Sequence, residues 1–408
     1  MQLGSGSARG RRLIAAALFA LALALDGCSV STPDPIAPST PPYLNECEPG
    51  ARPLRHEFPS GNTWSLCWGI DDQAGLTLAD VTFGRPDGVN VRILEQASLA
   101  QIQVPYDDGS ESALDLPTFA DLTATLGSGE CPGGDVDHAN GASICTAQVE
   151  DSPRFAWSDY DHGSGNHFGR GFCFRIFTVT PVQWYTYLNQ WDFCDDGTIR
   201  PTVGAGGLLA PEYFGDESTG ASLGRDDRYH LSHFHNVFWR LVFDLNSEIG
   251  PLVSEIRPEN RDGRIISSPA RIATEKAVDS APNLFWRVTS DRAVNTDGKR
   301  LSYDIDAFNT SRYDGPFSSQ IPARDMYVTQ HDPCQMLAAG NQPSTCGAGI
   351  DEYVNDEALS KPTIWVKIGF HHIPREEDQP VMNEHWQGFS LVPRSLSDHN
   401  DLYREPLP

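Results

Sequence analysis

Short runs of β-branched and aromatic residues, each ended by a turn, are the feature that most limits how this 408-residue chain can fold. The sequence contains 36 Gly and 30 Pro, and these residues interrupt the apolar runs after a few positions. Such spacing favours strands over helices. The clearest strand candidates span residues 172–179, 183–193, 198–203, 235–245, 284–288, 326–328, 363–370 and 388–392. Helix is predicted only at residues 117–126 and 350–359. We therefore predict an all-β fold, a large antiparallel β-sandwich with little helix.

The N-terminus reads as a targeting segment. Three arginines between residues 9 and 12 precede an unbroken apolar run at 13–25, which is too short to span a membrane. Leu25-Asp26-Gly27-Cys28 resembles a bacterial lipoprotein cleavage box, and an ordinary secretory signal is the alternative. We predict a signal peptide at 1–27, a Pro/Ser/Thr-rich linker at 28–46 and one folded domain at 47–408.

These segments predict an exported lipoprotein of the bacterial cell envelope. A lipid on Cys28 would be its only attachment to the membrane, because no later segment is long and apolar enough to span one. The formal charge of −25 makes nucleic acid an improbable partner.

The number of cysteines is consistent with an exported protein. Of the nine cysteines, Cys28 belongs to the cleavage box, and the remaining eight are an even number in an exported chain. This favours four disulfides. Pairing each cysteine with its nearest neighbour gives Cys47–Cys67, Cys131–Cys145, Cys173–Cys194 and Cys334–Cys346, although the sequence alone leaves other pairings open.

The pair His233 and His235 is the first candidate for chemistry. Both lie in a predicted strand, where residues i and i+2 share a face, so the two imidazoles project together. Imidazole suits Zn, Cu, Fe and Ni. Two partly buried, hydrogen-bonded histidines are the plainer alternative. Farther along, His371 and His372 follow another strand, and only one of them can face inward to complete a three-histidine site.

Two other features have plain structural interpretations. Tyr185, Tyr187, Trp191 and Phe193 alternate along one strand, which by periodicity alone predicts an aromatic stripe that packs the sandwich core. A lone aspartate such as Asp115 is normally solvated.

Residues 369–382, GFHHIPREEDQPVM, closely resemble the C-terminal copper-ligand segment of the copper amine oxidases. The register of that resemblance makes His372, and not His371, the ligand. HFHNVFWRL resembles the paired ligands of the same family and implies His233 and His235 as ligands. The resemblance extends in order from about Val91 to Val392, and Cys131–Cys145 matches a disulfide of the family with a shortened loop.

Three further residues take implied roles from this resemblance. Tyr185 falls on the tyrosine that the family oxidises to topaquinone, because Trp191, Phe193 and the following Gly-Thr-Ile keep the family spacing. Tyr106 matches the tyrosine that hydrogen-bonds the quinone. Asp115 falls where the family carries its catalytic base.

The resemblance implies a copper(II)- and topaquinone-dependent enzyme. It would use O2 to deaminate a primary amine to an aldehyde, with release of ammonia and hydrogen peroxide, and it would form a homodimer. Trp184 and Thr186 depart from the residues that flank the family's tyrosine, so the alternative is a copper-binding lipoprotein of the same family without activity, which acts as a copper-handling or interaction module. Calcium is not expected, because Val242 and Lys361 replace acidic residues of a peripheral calcium site.

Overall fold

The computed structural model describes most of the chain from Cys47 onward. The described residues are 47–72, 74–109, 112–114, 123–139, 141–159, 165–224, 227–281, 283–307, 310–315, 322–339, 346–347 and 349–403. The predicted signal peptide and linker, Cys28, Asp115 and residues 117–122 of one predicted helix lie outside them.

One sheet carries the paired histidines. It has nine strands in the described residues, in the order β1-β2-β3-β4-β14-β23-β22-β19, with β5 paired to β4, and every pairing is antiparallel. Its strands are β1 Arg52–Glu57, β2 Thr63–Asp71, β3 Gly75–Gly84, β4 Asn90–Pro105, β5 Ser112–Leu114, β14 His233–Phe243, β19 Lys276–Val278, β22 Met326–Gln330 and β23 Pro362–His372.

The second sheet carries the aromatic stripe. Its eleven described strands follow the order β18-β15-β20-β21-β25-β10-β9-β8-β7-β6, with β24 paired to β10. They are β6 Asp135–Ala139, β7 Ala142–Asp159, β8 Gly165–Val182, β9 Tyr185–Cys194, β10 Ile199–Gly207, β15 Leu252–Ile256, β18 Pro269–Ile272, β20 Phe285–Val294, β21 Arg300–Asp306, β24 Met382–Gly388 and β25 Ser390–Arg394.

Smaller elements complete the described part of the chain. They are the three-stranded sheet of β11 Phe214–Gly215, β12 Gly220–Ser222 and β13 Tyr229–Leu231, the hairpin of β16 Glu259–Arg261 and β17 Arg264–Ile266, helix α1 Ile350–Tyr353 and a 3-10 turn at Glu376–Asp378. None of the helices in these described stretches has the length and apolar character that crossing a bilayer needs.

The two large sheets pack face to face around one apolar core. Fully buried tryptophans from both sheets, such as Trp64, Trp191, Trp239 and Trp286, belong to this core. Trp64 also donates its Nε1–H to the carbonyl of Cys194 on the other sheet, at 2.8 Å. The prediction of an all-β, large antiparallel sandwich is confirmed.

Strand β14 is buried on both faces. Its inward face carries both paired histidines, whereas Phe238 on the other face packs in a separate small core with Tyr327 and Trp365. Segment 310–311 also covers that outer face, and it lies so close to β23 that a Cβ at Gly369 would stand 2.4 Å from the carbonyl oxygen of Ser311. Glycine is therefore required there.

Three details of the predicted elements were wrong. The helix predicted at 350–359 is only α1, because beyond it the backbone pairs with residues 273–275 instead of with itself. The predicted strand at 388–392 is split between β24 and β25, and Phe389 at the break donates its N–H to the carbonyl of Pro201. Residues 123–126, the described end of the other predicted helix, are not helical.

The disulfides follow the nearest-neighbour pattern. The structure joins Cys47–Cys67, Cys131–Cys145, Cys173–Cys194 and Cys334–Cys346. The predicted pairing is confirmed, and it uses every cysteine except Cys28.

Candidate functional site

Three imidazoles converge on the inward face of the nine-stranded sheet. His233 and His235 alternate along β14, and the antiparallel register with β23 places His372 directly opposite His233. The Nε2 atoms of His233 and His235 are 3.1 Å apart, and His372 Nδ1 is 3.4 Å from His233 Nε2. All three side chains are buried. Ligands about 2 Å from one metal ion have mutual spacings of this size, so the three rings could hold one ion.

Each ring has its other nitrogen next to a hydrogen-bond acceptor. His233 Nδ1 lies 3.3 Å from the carbonyl of Leu231, and His235 Nδ1 lies 3.3 Å from the hydroxyl of Tyr187. His372 Nε2 lies 3.0 Å from Asp378 Oδ2. A ring that donates its N–H to these acceptors directs its remaining lone pair toward the cluster. Such outer contacts fix the tautomer of metal-ligating histidines.

Burial keeps these rings neutral. It lowers the pKa of His233 to about 3, with help from the nearby His372, and it holds the pKa of His235 well below its ordinary value. Burial also lowers the pKa of His372, although the hydrogen bond to Asp378 opposes that change. The neutral ring is the form that binds a metal ion.

Tyr185 reaches the cluster from the opposite sheet. Its hydroxyl lies 2.8 Å from His233 Nε2 and 3.0 Å from His372 Nδ1, and its ring is 5.0 Å from that of His235. The predicted aromatic stripe on β9 is buried in the core as expected. Tyr185 therefore packs in the core and also forms part of the site. Its phenol comes from the second sheet and lies next to all three imidazoles.

The adjacent histidine faces away. The ring of His371 stacks on Phe234 with 4.2 Å between centroids, and His371 Nε2 lies 2.9 Å from Asp107 Oδ2. Phe234 lies on the side of the sheet opposite to the cluster, because strand side chains alternate. The structure thus brings together His372 and the paired histidines, and it leaves His371 apart.

Tyr106 borders the cluster. It follows β4 and forms an isolated bridge with His233, and the two rings are 4.9 Å apart. The ring of Tyr213 packs edge-on against Tyr106, and Trp184 packs edge-on against Tyr213. Asp115, the predicted base, belongs to the residues that the structure does not describe.

Sequence reasoning missed four neighbours of the site. Tyr187 was assigned to the core alone, and Asp378, Met382 and His385 were not singled out. Met382 Sδ lies 3.8 Å from the Tyr185 hydroxyl, and the His385 ring lies 4.7 Å from that of His372. The period-two pattern of β9 could have indicated Tyr187. Asp378 lies on a turn whose folding no periodicity predicts.

A cavity of about 710 Å³ adjoins the site on the side of Asp378. Its wall combines polar groups with apolar residues such as Leu209, Phe214 and Pro380, and Arg228 stacks over the Phe214 ring at 4.1 Å. Asp378, itself buried, forms part of the wall and connects the cavity to His372.

The family description "Copper amine oxidase, enzyme domain" matches residues 137–406, which contain all three imidazoles and Tyr185. This chain belongs to the copper amine oxidase family. It is 24% identical over 428 residues to a primary amine oxidase of Arthrobacter sp. (strain P1), covering 90% of this chain and 65% of that protein. A primary amine oxidase of Klebsiella aerogenes is 22% identical, over 91% of this chain and 58% of its own length.

Solved structures agree on the fold. A copper-containing benzylamine oxidase from Hansenula polymorpha superposes with a TM-score of 0.67 at 20% identity, over 90% of this chain and 66% of that chain. Lysyl oxidase of Pichia pastoris gives a TM-score of 0.69 at 15% identity, over 83% of this chain and 52% of that chain. The chain thus spans about two thirds or less of the length of these relatives.

Lys361 lies at a position for which the family resemblance implies an acidic residue of a calcium site. Lys361 Nζ lies 2.6 Å from a carboxylate oxygen of Glu95, and Val242 is buried in β14.

Proposed function

We propose that this chain is a copper-dependent amine oxidase that converts a primary amine and O2 into an aldehyde, ammonia and hydrogen peroxide. One observation carries the proposal: the hydroxyl of Tyr185 lies within 3.0 Å of ring nitrogens of both His233 and His372, inside a cluster of three imidazoles. Membership of the family supports amine oxidation at the level of the family. The identities to the primary amine oxidases are only 22–24%, so the substrate and the products are part of the proposal.

Copper(II) fits the donor set. Neutral imidazoles are good ligands for copper, and Cu(II) prefers tetragonal sites of nitrogen and oxygen donors. His233 and His235 would bind through Nε2 and His372 through Nδ1, because the other nitrogen of each ring is already hydrogen-bonded.

Tyr185 is the proposed precursor of topaquinone, which would supply a reactive carbonyl for covalent catalysis of amine oxidation. The chain's own residues hold that ring in place. Tyr187 stacks beside it at 5.9 Å between centroids, and Met382 contacts its hydroxyl. Tyr106 lies close enough to the cluster to bind an oxygen of the modified ring, and Asp115 is proposed as the base that removes a proton from the carbon next to nitrogen.

The test is a mass measurement on the peptide that contains Tyr185. Metal-free protein is incubated with Cu(II) in air, digested and analysed, with the Tyr185→Phe variant as the matched control. We expect a gain of two oxygen atoms and a loss of two hydrogen atoms in the wild-type peptide only. Copper-loaded protein with an unmodified peptide would refute the enzyme proposal.

Trp184 is the observation that favours the second candidate, a copper-binding relative without activity. Its indole packs edge-on against Tyr213, which in turn packs against Tyr106, and it precedes Tyr185 in the chain, where the family resemblance implies another residue. An unmodified Tyr185 peptide together with tightly bound copper is the result that this candidate predicts.

The cellular location and the partners of this protein are also proposals. We propose an exported lipoprotein held to the membrane by a lipid on Cys28, and the four disulfides support an oxidising compartment. We propose a homodimer on the family resemblance, and size-exclusion chromatography with light scattering tests it. Labelling with a radioactive fatty acid, with Cys28→Ala as the control, tests the anchor.

A further inference from the structure

A row of aromatic rings leads from the imidazole cluster toward the surface. The ring of Tyr106 lies 4.9 Å from that of His233, and the ring of Tyr213 lies 4.9 Å from that of Tyr106. The indole of Trp184 follows, 5.4 Å from the ring of Tyr213. These spacings fall within the roughly 4.5–7 Å of packed aromatic pairs. Tyr106 is buried, whereas Tyr213 and Trp184 are half-buried, so the row connects the site to solvent.

The rings of this row are phenols and an indole. The hydroxyl of tyrosine and the ring nitrogen of tryptophan feed electron density into the ring, so both lose an electron far more readily than phenylalanine. Two other described rings beside the cluster offer no such route to solvent. Phe370 stacks on His235 at 4.6 Å but is hard to oxidise, and Tyr187, 5.8 Å from His235, is almost wholly buried. The family resemblance implies another residue in place of Trp184, so the outer end of the row is a feature of this chain.

The site also contains a group that oxidation would damage. Met382 Sδ lies 3.8 Å from the Tyr185 hydroxyl, and its side chain is buried. Conversion of methionine to its sulfoxide makes such an apolar side chain polar and disrupts the packing around it. Copper held by the three imidazoles, together with the hydrogen peroxide of the proposed reaction, would supply one-electron oxidation here. Once the amine is exhausted, that oxidising power falls on the protein itself.

We propose that Tyr106, Tyr213 and Trp184 form an electron path that protects the site from oxidation, an inference that rests on the proposed copper-dependent function. A group of the cluster that has lost an electron regains it from Tyr106, Tyr106 regains it from Tyr213, and Tyr213 regains it from Trp184. Each phenol releases its proton when it loses the electron and takes up a proton when it is reduced.

The overall reaction is the transfer of one oxygen atom to the outer indole. Two electrons that pass along the path, with two protons, reduce one hydrogen peroxide to two water molecules as its O–O bond breaks. The indole of Trp184, which has then lost two electrons, takes an oxygen atom from water and releases two protons. The damage therefore ends on a half-exposed residue instead of on Met382.

Peptide mapping of the copper-loaded chain after limited treatment with hydrogen peroxide, without an amine, tests the path. We expect Trp184 to gain an oxygen atom severalfold more often than Trp386, although Trp386 is the more exposed of the two, at 43%. The metal-free chain should show the reverse order, because attack from bulk solution follows exposure.

Tyr213→Phe is the decisive variant, because it keeps the ring and removes only the hydroxyl. It should lower the oxidation of Trp184 and raise the sulfoxide of Met382, each severalfold, without changing copper retention. Trp184→Phe should raise the sulfoxide of Met382 in the same way. Met326 is the matched control, because it is also buried but lies on β22 opposite Val366, and its oxidation should not change.

Three results would overturn the proposal. One is unchanged oxidation of Trp184 in Tyr213→Phe. Another is oxidation of Trp386 that equals or exceeds that of Trp184 in the copper-loaded wild type. The third is equal oxidation of Met382 in the wild type and in Trp184→Phe. The path needs bound copper but no topaquinone, so preferential oxidation of Trp184 beside an unmodified Tyr185 would refute the enzyme proposal alone. A chain that retains no copper would refute both.

Discussion

Replacing Asp378 by asparagine is predicted to weaken copper binding about tenfold. Asp378 is buried, and its two oxygens receive three hydrogen bonds: from His372 Nε2 at 3.0 Å, from the backbone N–H of Arg375 at 2.8 Å and from Arg375 Nε at 3.2 Å. Burial tends to raise the pKa of this carboxyl, but these donors outweigh it and the net pKa is lowered, so the group is an anion at neutral pH.

The expected tenfold loss follows from the hydrogen bonds that an asparagine at this position would keep. Its single oxygen can still accept from His372 and from the Arg375 backbone, and its NH2 group would face Arg375 Nε, which sits on a half-exposed side chain that can turn away. The tautomer of His372 is therefore kept, while the negative charge that makes the imidazole a stronger donor is lost. Removing such an outer contact costs 10- to 100-fold in metal affinity, and we expect the lower end, about 1.4 kcal/mol.

Competition of the protein against a chelator of known copper affinity measures this change. Asp378→Ala, which also frees the His372 N–H, should lose about 100-fold. Arg375→Gln keeps the backbone N–H and removes only the guanidinium, so it should stay within about twofold of the wild type. The electron paramagnetic resonance spectrum of bound Cu(II) should change in both Asp378 variants. Unchanged affinity and spectrum in Asp378→Ala would show that His372 is not oriented by this carboxylate.

Three more predictions concern the proposed copper ligands and the sheet that holds them. His372→Ala should abolish copper retention after dialysis whereas His371→Ala should not, and equal loss in both would contradict the register of β23. Lys367→Met should lower the free energy of unfolding in urea at pH 7 by about 3–5 kcal/mol, because it leaves Asp325, 2.7 Å from Lys367 Nζ and almost wholly buried, without its cation. Arg170→Gln, at an exposed ion pair, should change it by less than about 1 kcal/mol, and a similar loss in both variants would contradict the argument. Burial raises the pKa of Asp325 but Lys367 outweighs it, so the net pKa is lowered. The stabilisation should be complete above the unfolded-state pKa of about 3.9 and should disappear as the pH falls below it, which urea titrations between pH 6 and pH 3 would measure.

Much of the site could be predicted because strands repeat every two residues. That period placed His233 and His235 on one face, required that only one of His371 and His372 face inward, and put Tyr185 in a buried stripe. The choice of His372 came from the resemblance to the family, and the structure places that ring in the cluster.

Other features depend on contacts between distant segments. The short helix α1 ends where the chain meets residues 273–275, a pairing that no local pattern shows. Asp378 reaches His372 across a turn, a contact that no strand period indicates.

The three imidazoles and the phenol of Tyr185 come from different sheets, and this affects the order in which the parts of the site can form. His233, His235 and His372 come from two neighbouring strands of a single sheet, whereas the phenol of Tyr185 belongs to the other. Pairing of β14 and β23 would be enough to bring the three imidazoles together, while the proposed oxidation of the phenol would require the closed sandwich. A folding intermediate or a damaged variant could therefore bind metal and still leave Tyr185 unmodified.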